Sequence, residues 1–324
     1  MDAVRGIAVA LVVFHHAINI PRVIYGIEIV NPTWDALIAF VSPFRMPLLL
    51  AISGLLLTPA VHKPLLRYTD GKVRKILWPY LLWTAITIAV IQGWNGISTI
   101  FQPFTWIAGT YHMWFLVVLL ECYVLGVLVR YIPAWTLPLA LLCALVVLDP
   151  STGFIRRFLY YGFFFFLGAA IKTILPRWME APRWTFALMG ALTLGISGAA
   201  FADLLTIDIA QPLTTLLAIP GILSVLWLAH RAPRLTAFEF IGRRSIVIYT
   251  VHFPVQAAVS TLASPLLPDH SGIFLALTLT SGLGIPLLIA AAYRWTKPAF
   301  EFPFPVIPSL SEANAQPRKS LDSH

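Results

Sequence analysis

Apolar residues in this chain come in runs of about twenty, the length that spans a hydrocarbon core of about 30 Å. About ten runs predict helices at roughly 3–20, 36–58, 76–93, 113–131, 133–149, 157–175, 185–203, 212–230, 245–264 and 273–293. The gaps between them are too short for a soluble domain, and no internal repeat is visible. The pattern predicts an all-α integral membrane protein of about ten transmembrane helices, with one membrane domain over residues 1–300. Residues 301–324 end in SLSEANAQPRKSLDSH, which is polar, unpatterned and expected to be a disordered tail. The first run has no basic leader and no small-residue cleavage site, so it reads as a retained helix.

Composition agrees: 59% of residues are hydrophobic and 11% charged, against about 45–50% and about 25% in soluble domains. The net charge of +8 does not signify nucleic acid, because the bases sit in the gaps between apolar runs. Alternate gaps are basic, from Lys63 through Lys75 and from Arg231 through Arg244, while the others hold Arg22, Arg156 and Arg157, or Asp203 and Asp208 without a base. The positive-inside rule then puts both termini in the cytoplasm. Cys122 and Cys143 lie inside apolar runs and suggest no disulfide.

Ionisable groups within such runs are costly in lipid and point to a functional interior. In DAVRGIAVALVVFHH, Arg5 and His16 are eleven residues apart. At 100° per residue this is about 20° beyond three turns, so they share a face, whereas His15 points about 80° away from Arg5. Imidazole titrates near neutrality and can take a proton from a hydroxyl and return it. His16 is the expected cavity residue and His15 its orienting neighbour.

In FRMPLLLAISG, Arg45 reaches a similar depth, with Pro47 expected to kink the helix. A carboxylate such as Glu121 is its expected partner. HMWFLVVLLE opens the fourth helix with His112 at the membrane interface and Glu121 well inside. In the ninth helix Ser245, Tyr249, His252 and Gln256 form a polar stripe, readable as a hydrogen-bonding seam or as the wall of a polar passage. The clusters Lys72, Arg74, Lys75 and Arg243, Arg244 obey the positive-inside rule and would also suit a phosphate-rich ligand. No phosphate-binding glycine loop, serine-hydrolase elbow or zinc-protease helix is present, and the histidines lack metal-ligand spacing, so no metal site is expected.

DAVRGIAVALVVFHH, FRMPLLLAISGLL, KVRKILWPYLLW, HMWFL, YYGFFFFLGAAI and GRRSIVIYTVHFP, in this order, resemble membrane acyltransferase family 3, bacterial O-acyltransferases that modify surface carbohydrates. FRMP and KILWPYLLW look most like its fucose 4-O-acetylase-like and Nod-factor acetyltransferase-like branch. The likeness runs from residue 2 to about 300. It implies a multi-pass enzyme of the bacterial cytoplasmic (inner) membrane with no bound cofactor. Such an enzyme takes an acyl group, usually acetyl, from cytoplasmic acyl-CoA and delivers it to a hydroxyl of an extracytoplasmic or lipid-linked carbohydrate. The resemblance maps the family's essential histidine onto His16 and the basic residue eleven positions earlier onto Arg5. Its basic motif ahead of the third helix falls on Lys72, Arg74 and Lys75. Some relatives carry a further esterase-like domain that is not among these residues, so transfer is completed here or through a glycan-synthesis or extracytoplasmic transferase partner.

The expected roles are His16 as base or transient acyl carrier and Arg45 as stabiliser of negative charge. Arg5, Lys72, Arg74, Lys75, Arg243 and Arg244 would hold the donor, and His15, His112, Glu121, Ser245, Tyr249, His252 and Gln256 would line the channel. Expected partners are membrane lipid and the carbohydrate acceptor. The competing class is a transporter or flippase for a lipid-linked glycan or another polar substrate, with His16 as proton relay. A non-catalytic scaffold is a third.

Overall fold

The computed structural model describes residues 1–26, 32–150, 153–202, 204–205, 216–231, 233–267 and 271–304; Asp203, Asp208 and residues 305–324 lie outside the described residues. Ten apolar helices match the ten predicted runs in order: α1 Asp2–Tyr25, α2 Pro32–Leu55, α3 Trp78–Gln92, α4 Trp114–Leu128, α5 Thr136–Leu148, α6 Phe154–Met179, α7 Arg183–Phe201, α8 Ala218–Arg231, α9 Ser245–Ala263 and α10 Ser271–Ala291. No strand occurs among the described residues.

Among the described residues eight segments are long and apolar enough to cross a membrane. The exceptions are α5, with 13 residues, and α8, with 14 among the described residues; at about 1.5 Å per residue α5 is about 20 Å long, two-thirds of the hydrocarbon core. The ends of α5 have a local cause. Its C-terminus stops at Asp149 in the left-handed region, φ 37°. Arg156 holds that stop, donating to the Asp149 carboxylate and the Pro150 carbonyl, both at 2.7 Å.

The middle of α6, from Gly162 to Ile171, is buried on all sides, with Phe163, Phe164, Phe165 and Phe166 in the core, as expected of a stretch that is apolar all round. It is central together with α9, whereas α7 lies at the periphery. Where lipid surrounds the helices, leaving it offers apolar side chains little gain, so close backbone approach carries association. Two reciprocal glycine pairs provide it. A Cβ on Gly54 of α2 would lie 1.8 Å from the Phe165 oxygen of α6, and one on Gly168 of α6 would lie 2.0 Å from the Ala51 oxygen of α2. Gly6 of α1 and Gly242 of the short helix Thr236–Arg243 repeat the arrangement, at 2.0 Å from the Phe238 oxygen and 1.9 Å from the Asp2 oxygen.

Hydrogen bonds then fix how far α1 can turn. Gln256 Nε2 of α9 donates to the Val13 carbonyl at 3.0 Å, and the Thr278 hydroxyl of α10 shares its one proton among the Phe274 and Leu275 carbonyls at 3.0 Å and the Ala17 carbonyl of α1 at 3.2 Å. α2 runs without interruption through Pro43 and Pro47, and Ser42 Oγ donates to the Ala39 carbonyl that Pro43 leaves without a donor.

The basic loop ahead of α3 is shaped by one proline. Val73–Leu77 forms a π-helical turn in which the Trp78 amide donates to the Val73 carbonyl. The next donor in that register would be residue 79, which is proline, so the Arg74 carbonyl has no helical partner. The Phe302 amide donates to it at 3.1 Å. Arg74 returns the contact, with Nε donating to the Phe302 carbonyl at 2.8 Å and an ion pair to Glu301 at 3.3 Å. Trp78 and Trp83 Nε1 donate to the carbonyls of Pro298 and Ala299, and Phe300 is buried against Trp83. Glu301 and Phe302, assigned to the tail by their polarity pattern, thus pack into the membrane domain.

Gly168→Ala should lower the thermal unfolding midpoint in detergent by several degrees, since overpacking a close contact costs about 1–3 kcal/mol. Gly190→Ala, where a Cβ meets nothing within 4 Å, should leave the midpoint unchanged or raise it slightly.

Candidate active site

α1 and α9 bring three of the expected histidines together with that of the turn before α4. His16 Nδ1 lies 3.0 Å from His252 Nε2, and His252 Nδ1 lies 3.0 Å from the Ile248 carbonyl. A carbonyl only accepts, so His252 carries its proton on Nδ1 and presents Nε2 as an acceptor. His16 must then donate from Nδ1, which leaves the lone pair of its Nε2 facing outward. His252 is buried and His16 half-buried, so the free nitrogen belongs to the residue that can be reached.

His112 stacks on Phe253 with ring centres 4.4 Å apart and lies edge-on to His252 at 5.3 Å. Both its ring nitrogens are buried without a hydrogen bond. Nearby, the Thr250 carbonyl interacts with the ring; Pro254 removes its helical donor. The Tyr249 hydroxyl donates to the His112 carbonyl. The backbone that delivers His112 is strained, because Tyr111 sits at φ 51° directly before it. Gln92 Nε2 holds the Tyr111 hydroxyl at 3.0 Å.

Arg45 lies within electrostatic reach of His15 and His16. Its expected pairing with Glu121 is absent: Nε and Nη1 are buried without an acceptor. Glu121 instead lies within electrostatic reach of Arg157 and Tyr80. His15 is held by the Asn19 amide, 2.7 Å from its Nε2.

A cavity of about 350 Å³ rises from the basic end of the bundle toward this cluster. Arg5, Lys75 and Ser245 line it together with Phe115 and Tyr249. Arg5, Val9 and His16 share one face of α1; Arg5 and Val9 line the cavity, and His16 lies farther along the same face, beyond the lining residues. Arg5 also pairs with Asp2 at 3.6 Å.

The remaining basic residues are not gathered around this cavity. Lys72 lies over the Tyr123 ring at 3.2 Å, Arg74 serves the 301–302 contact, Arg243 pairs with Glu239 at 3.5 Å and Arg244 stacks on Tyr293 at 3.9 Å. Burial and the neighbouring Glu301 raise the Tyr293 phenol above its ordinary pKa, opposed by the Arg244 charge. Gln256 is fully buried where α1, α9 and α10 cross, a seam residue rather than part of an open passage.

Asn19, Tyr111 and Arg157 escaped the sequence reading. Arg157 donates to the Ala108 carbonyl at 3.1 Å and lies over Trp114, which stacks on Tyr161 at 4.7 Å. Its position ahead of YYGFFFF was read as a topology signal only. Asn19, four residues beyond His15, was the most readable of the three.

The family model described as an acyltransferase domain, of acyltransferase family 3, matches residues 1–293. The chain belongs to this family. No curated protein and no solved structure matches it. The acyltransferase therefore carries, on its first helix, an imidazole whose partner leaves one nitrogen free to accept a proton.

In this acyltransferase His16→Ala should lower acyl transfer by about 10²–10⁴-fold, the range for loss of a general base. His252→Phe should cost less, since it removes an orienting partner. His15→Ala should retain most activity in a radiolabelled acyl-transfer assay; equal loss for His15→Ala and His16→Ala would break the face argument.

Proposed function

We propose that the chain transfers an acyl group from acyl-CoA to a hydroxyl of an extracytoplasmic or lipid-linked carbohydrate, with the basic end of the bundle facing the cytoplasm. The family likeness makes acetyl the first donor to test and the bacterial inner membrane the expected location. The observation that carries this reading is the free Nε2 of His16, in line with a cavity whose opposite end bears Arg5 and Lys75. Those two cations suit the phosphates of a CoA nucleotide, and the narrow interior suits its pantetheine arm.

In the reaction, His16 Nε2 takes the proton of the acceptor hydroxyl as its oxygen attacks the thioester carbonyl carbon. The carbonyl oxygen becomes anionic, and the unpaired Nε and Nη1 of Arg45 are donors suited to it. The C–S bond breaks, the acyl–oxygen ester forms, and the CoA sulfur leaves with the proton returned from His16. His252 stabilises the imidazolium through the hydrogen bond to Nδ1. No metal takes part in these steps.

The competing reading, a transporter for a lipid-linked glycan, is favoured by the polar stripe on α9. Burial of Gln256 and His252 weighs against a continuous passage there. Purified protein in vesicles with radiolabelled acetyl-CoA and surface glycan should yield labelled glycan, and Arg45→Gln should lower the yield by about 10²–10³-fold. Glycan movement without label would overturn the reading.

A further inference from the structure

α1 carries a second functional face. Val4, Ala8, Leu11 and His15 follow helical spacing, about 100° from the Arg5, Val9, His16 line. That face borders a groove of about 450 Å³, closed on its other sides by α2, α7 and α8. Two of its lining residues, Leu194 of α7 and Leu228 of α8, are 63% and 50% exposed, so on that side the groove adjoins the apolar outer surface of the bundle.

At its basic end the groove is bounded by Met1, Arg234 and Glu239, the last paired with Arg243, but between there and Arg45 its wall leaves few polar groups for a ligand. Ser197 Oγ is committed to the Phe40 carbonyl at 2.9 Å and Thr193 Oγ1 to the Met189 carbonyl at 2.7 Å. Arg45 stands at the inner end, bordering both the groove and the histidines, with Nε and Nη1 unsatisfied. The occupant is therefore a hydrocarbon chain bearing an oxygen acceptor at the Arg45 end. A lipid phosphate fits poorly, because Arg45 lies about 18 Å along the helix from Thr33, far from the interface, and a multiply charged group there needs more than one cation. A thioester carbonyl is neutral on arrival and turns anionic only during transfer.

We propose that this groove holds the hydrocarbon chain of the transferred group, so that the donors include medium- and long-chain acyl-CoA as well as acetyl-CoA. The proposal rests on the acyl-CoA reading above. From Leu11 to Met1 the groove runs about 15 Å along α1. That is the length of a chain of about twelve carbons, each advancing about 1.25 Å for 1.52 Å bonds at 111°.

The test is competition of acetyl-CoA, dodecanoyl-CoA and free CoA against radiolabelled acetyl-CoA on the purified full-length protein. Each buried methylene is worth about fourfold in affinity, so even a partly filled groove should favour dodecanoyl-CoA over acetyl-CoA by about 100-fold. Val225→Trp, in the groove wall, should reduce that ratio at least tenfold, and Thr193→Phe on the opposite wall should do the same; acetyl-CoA binding reports that each variant is folded. Equal affinities in the wild type, or a preference that survives both variants, would overturn the proposal. So would native mass spectra in which a bilayer lipid leaves the groove in both variants while dodecanoyl-CoA shows no preference. If neither CoA nor acetyl-CoA binds the wild type, the donor reading itself fails, and this is separable from loss of the chain-length effect alone.

Discussion

Everything at the reactive centre depends on how α1 is turned about its own axis. The residues that line the two cavities differ in direction by only about 100°, so a modest rotation would exchange them. The molecule prevents this at three heights. Gly6 meets Gly242 backbone to backbone at the basic end, Gln256 reaches the Val13 carbonyl near the middle, and Thr278 reaches Ala17 beyond it. His16 meets His252 only because these contacts hold, and the hydrogen bond between them is both a result of that orientation and a further restraint on it.

Polar groups in this bundle fall into two populations. Most hydroxyls bond to a carbonyl one turn back or on a neighbouring helix, as Ser53, Thr87, Ser197 and Thr250 do, and so present little to a ligand. A smaller set has buried atoms that make no hydrogen bond at ordinary bonding distance, among them Nε and Nη1 of Arg45, the ring nitrogens of His112 and Oε1 of Gln256. Such groups are expensive where water is excluded, and those of Arg45 and His112 stand beside the imidazole of His16. Tyr111, with its uncommon backbone conformation, directly precedes His112.

The order and type of the long helices were legible because each depends on a local property, an apolar run of sufficient length. The shared face of Arg5 and His16 was legible for the same reason, since helical phase needs no knowledge of neighbours. The shortness of α5 was not, because it comes from a reversal at Asp149 secured by Arg156, a contact between two elements. Nor was the placement of Glu121: depth along a helix can be read from sequence, but which neighbour a side chain faces depends on packing. Arg74 shows the limit most clearly. Its charge suggested a phosphate, whereas the proline five residues later gave its carbonyl and its guanidinium a partner in the same chain.

That partner has a consequence for assembly. Arg74 and Phe302 are 228 residues apart, and eight of the ten apolar helices lie between them. The basic loop beside the Arg5 cavity therefore takes its final shape only after those eight helices have been made and inserted. Closure of so long a loop is an entropic step that local propensity cannot hasten. Maturation of the basic rim is thus tied to completion of the bundle, and a partly inserted chain would have a loosely organised mouth even with its first two helices in place.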